Sequence, residues 1–240
     1  SKRVQNIIAN AMDTSLDLRP PNIKSIIDAN PGVSTWTGKE LPLGYLDWWP
    51  VCLGFNNLEP PFDDPEVRRA VNHAIDREQL VKIGWQGAGT SSYLPLPNFP
   101  PIRNYTDGIQ DLIDKYEIGV YDPAKTAEIL QRKGWSKDGE GFWSKGGERL
   151  TMVVDIFGIF NDLAPVLVAQ LKQAGVDASF RLTSDTFTRM AQGTARAYMM
   201  GNGGSVRDPY FTLRLYHSRF VQPTGTHAER FWRWSNPEYD

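Results

Sequence analysis

Residues 151–182 read TMVVDIFGIFNDLAPVLVAQLKQAGVDASFRL and contain the pattern that decides the fold class. An apolar strand pattern starts at Thr151, and a helical pattern runs from Leu163 to Ala174, where Gly175 is a typical C-terminal stop. Apolar and polar residues then alternate from Val176 to Leu182, which predicts a second strand. Strand, helix and strand in this order form a βαβ unit, so the chain is predicted to have an α/β fold.

Two helices upstream of this unit begin with the same dipeptide, at Asp64-Pro65 and at Asp122-Pro123. The aspartate side chain can accept hydrogen bonds from free amides of the first turn, and proline suits the first helical position because no N–H donor is needed there. The second helix is predicted to run through Leu130 and to end at Gly134. In the first helix one face is apolar and is therefore expected in the core: Val67, Ala70, Val71, Ala74 and Ile75.

Shorter patterns complete the prediction along the rest of the chain. They are a helix from Pro20 that stops at Pro31-Gly32, a strand at residues 48–56, a helix from Asp76 followed by a loop at 84–101, a hairpin that turns at Gly146-Gly147, a helix capped by Ser184 that ends near Gly193, and a buried strand at 195–200. Helices thus alternate with strands over most of the sequence, as expected for the α/β class.

Composition excludes several classes of function. The chain has 26 Lys and Arg against 28 Asp and Glu, and it contains no basic run, which argues against nucleic acid as a partner. The longest apolar stretches, 151–160 and 163–171, are too short to span a bilayer. The single cysteine, Cys52, excludes an internal disulfide and a multi-cysteine metal site, and it is expected to be an inert buried thiol. Both termini are interpreted as cuts in a longer chain.

Four stretches resemble one family of proteins. Residues 53–78, LGFNNLEPPFDDPEVRRAVNHAIDRE, match its signature almost throughout. The other three are residues 121–143, residues 170–176, and the sequence SNPEYD at 235–240. On these motifs the chain is identified as resembling the extracellular solute-binding proteins of ABC importers, in the oligopeptide, dipeptide and nickel-binding family, also called family 5.

The resemblance implies both a fold and a role. Such proteins are periplasmic or extracellular, have the type II periplasmic-binding-protein fold, and enclose a small solute between two lobes before delivering it to the permease subunits of an ABC importer. By this resemblance, residues 1–49 are expected to be a lobe-crossing or linker region. Residues 50–240 are expected to be the second lobe, truncated at both ends, with a mixed sheet flanked by helices. No cofactor, metal or catalysis is implied.

The loop at residues 201–210, GNGGSVRDPY, is the main candidate for a ligand site. Its glycines, including Gly203 and Gly204, let the backbone approach a ligand closely, whereas Asp208 with Pro209 also suits a plain helix start. In peptide-binding members of the family the matching stretch resembles Trp-x-x-Asp, whose Asp pairs with the ligand's α-amino group. Here Asn202 and Ser205 stand at those two positions, which favours an oligosaccharide over a peptide, although both stay open.

Aromatic residues supply further candidates for ligand binding. Trp85 and Tyr93 lie in a loop whose family counterpart faces the cleft, and Trp232 can stack on a sugar ring. Trp232 and Trp234 alternate with Arg230 and Arg233, a pattern more typical of a strand or loop with one buried and one solvated face. Three further tryptophans are expected to pack in the core or at the lobe junction: Trp36, Trp48 and Trp49.

Two other kinds of function stay open at this point. The histidines show no paired ligand spacing, which disfavours a metal site, and the sequence contains no nucleophile elbow, P-loop or dinucleotide fingerprint. A glycosidase-like pair of carboxylates is set by distance in three dimensions, so a hydrolase on a similar scaffold is the runner-up. A ligand-sensing domain is the third possibility.

Overall fold

The structure is a computed structural model and describes residues 1–16, 18–44 and 49–240. The helices are α1 Lys2–Ile8, α2 Pro20–Ala29, α3 Pro65–His73, α4 Arg77–Gln79, α5 Pro100–Thr106, α6 Gln110–Lys115, α7 Pro123–Arg132, α8 Ala164–Gln173, α9 Thr186–Gln192 and α10 Tyr210–Leu213. The strands are β1 Val51–Phe55, β2 Ser136–Lys137, β3 Trp143–Lys145, β4 Glu148–Arg149, β5 Thr151–Ile156, β6 Asp177–Leu182 and β7 Ala197–Gly201. A π-helical turn, Leu80–Gly84, continues α4.

The central sheet is mixed and has the strand order β1-β7-β5-β6. Strands β5 and β6 are parallel, with Thr151 opposite Asp177 and Ile156 opposite Leu182, and α8 connects them. Strand β7 is parallel to β5 but antiparallel to β1. The predicted βαβ unit and the predicted mixed sheet flanked by helices are both confirmed.

Local capping explains where the long helices begin. Asp64 accepts a hydrogen bond from the Glu66 amide at 2.9 Å, and Asp122 accepts from the Ala124 amide at 2.9 Å. Helices α3 and α7 pack on each other, and all five residues of the predicted apolar face of α3 are buried. Their side chains join the main core, which is centred on β5 and α8. The hairpin also forms as predicted, with positive φ angles at Gly146 and Gly147.

Several predictions need correction. The N-cap of α9 is Asp185 rather than Ser184. The alternation in β6 does not bury its far end, since Phe180 and Leu182 are exposed where this edge strand runs beyond the core. Trp36 is 92% exposed and so lies outside the core, whereas Trp49 packs against it. The prediction for Trp48 falls outside the described residues.

The N-terminal segment, residues 1–44, packs apart from the main core. Val4 and Ile7 of α1 contact Ile26 of α2 and form a small apolar cluster of their own. The segment is tied to the rest of the chain by Arg19, whose guanidinium donates to both carboxylate oxygens of Asp162 at 2.9 and 3.2 Å. A wide space is left between this segment and the central sheet. In the described part of the chain no helix is long and apolar enough to cross a membrane.

Candidate ligand cleft

A cavity of about 1450 Å³ occupies the space between the N-terminal segment and the central sheet. Its walls come from the N-terminal segment, β1, the end of β7, the loop at 89–99 and the stretch at 230–234. Many of the lining side chains are aromatic: Trp36, Trp49, Phe55, Trp85, Tyr93, Phe99, Phe160, Tyr198, Tyr216, Phe231, Trp232 and Trp234. A large concave space with apolar and aromatic walls is typical of a small-molecule site.

One end of the cavity is formed by an aromatic corner, which we define as Asn202, Tyr216, Trp232 and Trp234. The rings of Tyr216 and Trp232 are stacked, with centroids 4.8 Å apart and planes 21° apart. Trp234 meets Tyr216 edge-on at 6.2 Å. The Asn202 side-chain amide donates a hydrogen bond to the Tyr216 hydroxyl, so the strand end and the stacked rings form one unit.

Backbone contacts hold this corner in place. The Asn202 amide donates to the Pro50 carbonyl at 2.8 Å, which extends the pairing of β7 with β1 by one residue. The Trp232 carbonyl accepts from the backbone amide of Asn57 at 2.9 Å and from its side chain at 2.6 Å. The end of β7 and the stretch around Trp232 are thereby both fixed to β1 and its continuation.

Two glycines on the paired strands make room for rings of the cavity wall. A Cβ atom at Gly201 of β7 would lie 1.7 Å from Cδ2 of Trp49. A Cβ atom at Gly54 of β1 would lie 2.3 Å from Cε2 of Tyr198. Both rings therefore lie directly against backbone, and the indole of Trp49 is also stacked with Phe160 at 6.4 Å.

Arg233 fixes the stretch at 230–234 against α9 and lies with Phe231 on its buried side, while Trp232 and Trp234 are half-buried. Arg233 is fully buried, and its guanidinium donates to five carbonyls, which belong to Met190, Ala191, Gln222, Thr226 and Phe231. The stretch forms no strand. The sequence around Arg233 does not indicate that carbonyls of distant residues surround its guanidinium.

The predicted glycine-rich loop divides into two parts. Asn202 and Gly203 line the cavity, together with the predicted Trp85, Tyr93 and Trp232. The remaining three, Gly204, Ser205 and Asp208, are not among the described lining residues.

Within this loop, the side chains of Ser205 and Asp208 accept hydrogen bonds from backbone amides that follow them in the chain. Ser205 is 1% exposed, and its hydroxyl accepts from the Thr212 amide at 2.9 Å, while the Thr212 hydroxyl accepts from the Ser205 amide at 3.1 Å. Asp208 is exposed and accepts from the Tyr210 amide at 3.0 Å. A role of these two side chains in binding stays a prediction.

The thiol and hydroxyl groups around the aromatic corner stay protonated and uncharged at neutral pH. Burial raises the pKa of the Cys52 thiol to about 12 and raises the pKa of the Tyr216 and Tyr198 hydroxyls above their ordinary value. Three buried polar atoms in the described residues have no hydrogen-bond partner: Tyr198 Oη, Asn202 Oδ1 and Arg230 Nε. All three belong to residues that line the cavity. A buried polar atom without a partner costs about 1–3 kcal/mol, and because these three atoms have almost no accessible surface, they lower stability without being directly open to a solute.

The described side chains do not form a metal site. In the described ranges no group of three or more His, Cys, Asp or Glu side chains is placed to hold a metal ion. The buried His73 instead uses its Nδ1 atom in a 2.9 Å hydrogen bond with the Val120 carbonyl.

Comparisons with known proteins place the chain among binding proteins. A profile described as bacterial extracellular solute-binding proteins, family 5 Middle, matches residues 1–222. The chain is 34% identical over 126 residues to Heme-binding protein A of Haemophilus influenzae, a match that covers 51% of this chain and 20% of that protein.

Solved structures agree on the fold. The periplasmic oligopeptide-binding protein of Thermotoga maritima, solved with mannohexaose bound, has a TM-score of 0.80 at 19% identity and covers 99% of this chain and 45% of that one. The oligopeptide-binding protein of Bacillus subtilis, in complex with a nonapeptide, has a TM-score of 0.70 at 17% identity, over 99% of this chain and 44% of that one. The chain thus spans less than half of the relatives it matches.

Proposed function

Because this chain belongs to the bacterial extracellular solute-binding proteins of family 5, we propose that it forms one wall of the ligand cleft of an ABC-importer receptor. The receptor binds an oligosaccharide there, releases it unchanged to the permease subunits, and works in the periplasm or outside the cell. Residues 1–49 act as the lobe-crossing region and residues 50–240 as the second lobe. Closure of two lobes around the ligand uses binding energy to shift the receptor to the form that the permease recognises.

The aromatic corner carries this proposal. Sugar rings present apolar faces that stack on indole and phenol rings, and their hydroxyls hydrogen-bond to amide and hydroxyl groups. The stacked Tyr216 and Trp232, with the side chain of Asn202 beside them, supply both kinds of contact in one place. A receptor that bound free peptide N-termini would need a buried carboxylate where the loop has Ser205, and the Ser205 hydroxyl is already bonded to Thr212. The mannohexaose bound to the Thermotoga protein is consistent with a glycan ligand on this fold.

A peptide is the second candidate, for a specific reason. Asp13 is the carboxylate among the described residues of the cavity lining, and it can pair with an α-amino group. This aspartate is exposed, however, and an ion pair in contact with water contributes little to affinity.

Thermal unfolding of the full-length protein tests the proposal. Mannohexaose is expected to raise the midpoint, because a ligand that binds only the native state stabilises it, and a pentapeptide is expected to raise it less. Mass spectrometry of the incubated glycan is expected to recover it uncut. Stabilisation by the pentapeptide alone would favour the peptide, and cleaved glycan would favour a hydrolase.

A matched pair of variants locates the site. Trp232→Ala removes a stacking ring from the corner and is expected to weaken mannohexaose binding about tenfold. Trp135→Ala removes an indole that packs on the main core outside the cavity lining, and it is expected to leave affinity unchanged. Equal affinity of both variants would place the ligand elsewhere.

A further inference from the structure

Positively charged side chains outnumber negatively charged ones in the cavity lining. Among the described lining residues they are Arg68, Arg77, Arg230 and Asp13, so guanidinium groups outnumber carboxylates by three to one. This excess is local, because the whole chain has a formal net charge of -2. A site with excess positive charge and apolar walls favours negatively charged ligands over positively charged ones.

None of these arginines is neutralised by an ion pair in the part of the chain that the structure describes. Arg68 donates to the carbonyls of Phe62 and Asp63, at 2.6 and 3.2 Å. Arg77 donates to the Asn72 side-chain oxygen at 2.5 Å. These neutral acceptors orient the two guanidinium groups, and the carboxylates of Asp63 and Asp64 attract the charge of Arg68 without forming an ion pair with it.

Arg230 has the weakest set of protein partners. Its Nε atom is buried without an acceptor, and its Nη1 atom makes only a long contact, 3.4 Å, with the Glu229 carbonyl. The guanidinium lies over the ring of Phe220, 5.5 Å from the centroid, which fixes its position without supplying an acceptor. Desolvation lowers the pKa of Arg230, the carboxylate of Glu229 partly opposes this shift, and the charge of Arg214 adds to the lowering. A bound anion would offset the net lowering.

Two classes of ligand present an anion together with hydrogen-bond donors. An acidic sugar has a carboxylate and ring hydroxyls, and a peptide has a C-terminal carboxylate and backbone N–H groups. The stacked rings of the aromatic corner favour the sugar.

We propose that the cleft selects an acidic glycan, with a carboxylate of the ligand bound by the guanidinium group of Arg230. This inference rests on the proposed function and adds the charge of the ligand to it. Aromatic stacking then holds the sugar rings, and the guanidinium group discriminates acidic sugars from neutral ones.

Calorimetric titration of the full-length protein with two glycans tests the proposal. A β-1,4-linked hexamannuronate and mannohexaose share ring stereochemistry and differ at C6, where one has a carboxylate and the other a hydroxymethyl group. The acidic glycan is expected to bind about 10- to 100-fold more tightly, the range for a hydrogen bond to a charged group. Raising the salt concentration is expected to reduce this preference.

Three variants assign the preference to one side chain. Arg230→Gln is expected to abolish the preference for hexamannuronate while mannohexaose binding stays within about threefold, and Arg230→Lys is expected to retain part of it. Arg219→Gln is the matched control, because Arg219 also lies over Phe220, at 4.8 Å, but is exposed and outside the described lining.

The outcomes separate this inference from the proposed function. Equal affinity for the two glycans would overturn the acidic preference and leave an oligosaccharide receptor. Binding of a pentapeptide that is lost on C-terminal amidation, without binding of either glycan, would support carboxylate recognition by Arg230 and overturn the glycan. An unchanged preference in Arg230→Gln would remove Arg230 from the site.

Discussion

The main core and the aromatic corner are built on the same sheet but satisfy their polar groups differently. Around β5 and α8 the buried side chains are mostly apolar, and the backbone is paired within regular elements. In and beside the corner, Asn202 and Tyr198 each leave a buried polar atom without a partner. Such atoms cost stability, so the corner is not arranged for stability alone. The difference separates a region arranged for stability from one whose buried polar groups are incompletely satisfied.

The largest effect is expected in the reactivity of Cys52, which lies in β1 close to the corner. Burial raises the pKa of its thiol from 9.0 to about 12. Cys52 is half-buried and lines the cavity rather than being buried as expected, so at pH 8 the native protein is expected to carry less thiolate than the unfolded chain, by up to about a thousandfold, and to react more slowly with iodoacetamide.

The pH dependence of protein stability gives a second test of the pKa of the Cys52 thiol. Because the unfolded chain ionises first, the stability contributed by the neutral thiol is present below pH 9 and falls as the pH rises toward 12. Equal alkylation rates for native and denatured protein would show that the thiol is exposed.

Truncation in the main core is expected to have the next largest effect. Leu171 in α8 is fully buried, so Leu171→Ala is expected to lower the free energy of unfolding by about 2–5 kcal/mol. Leu182 in β6 is 52% exposed, and Leu182→Ala is expected to cost less than about 1 kcal/mol. Urea titration of both variants measures the difference, and similar losses would mean that the edge of the sheet is covered.

Substituting two buried asparagines, Asn56 outside the aromatic corner and Asn202 within it, compares the regions directly. Asn56 donates to the Gly193 carbonyl and to the Thr224 hydroxyl, both at 2.9 Å, and accepts from the Leu58 amide at 3.1 Å. Asn56→Leu removes these bonds and is expected to cost about 2–3 kcal/mol.

Asn202→Leu removes one bond but also one unsatisfied oxygen, so its stability is expected to stay within about 1 kcal/mol of the original while glycan binding is lost. Denaturant titration combined with calorimetry checks both properties. A large loss of stability in Asn202→Leu would show that this side chain is structural.

The smallest difference in stability is expected between variants of two N-cap aspartates. Asp122→Ala removes a side chain that caps α7 through the amides of Ala124 and Lys125, and it is expected to cost about 1 kcal/mol. Asp185 is the N-cap of α9 but makes no capping bond to it, so Asp185→Ala is expected to cost less. Thermal unfolding compares the pair, and a larger loss at Asp185 would contradict the assignment.

The sequence predicts the main core well because its signals are local. The Asp-Pro pairs, the apolar face of α3 and the Gly146-Gly147 turn each act over a few residues, and all three appear as expected. The corner depends on contacts between residues far apart in the chain. The bond from Asn202 to Tyr216 and the burial of Arg233 among five carbonyls have no local signature.

The sequence therefore predicted candidate site residues from their residue types, but not the contacts that they make. Asn202, Gly203, Trp85, Tyr93 and Trp232 do line one cavity. Ser205 was chosen for its hydroxyl, but the Thr212 amide that occupies this hydroxyl is set by the path of the following loop. Arg230 was interpreted only as part of a stretch with one buried and one solvated face, because a sequence shows the charge of a side chain but not whether an acceptor lies beside it.

Gly201 sets how closely the indole of Trp49 packs on the central sheet. Since the indole lies directly on the backbone of Gly201, any larger residue there would displace it from its present position. Both residues line the cavity. A single methyl group at position 201 would therefore change the shape of the cavity wall, and with it the set of solutes that the proposed receptor admits.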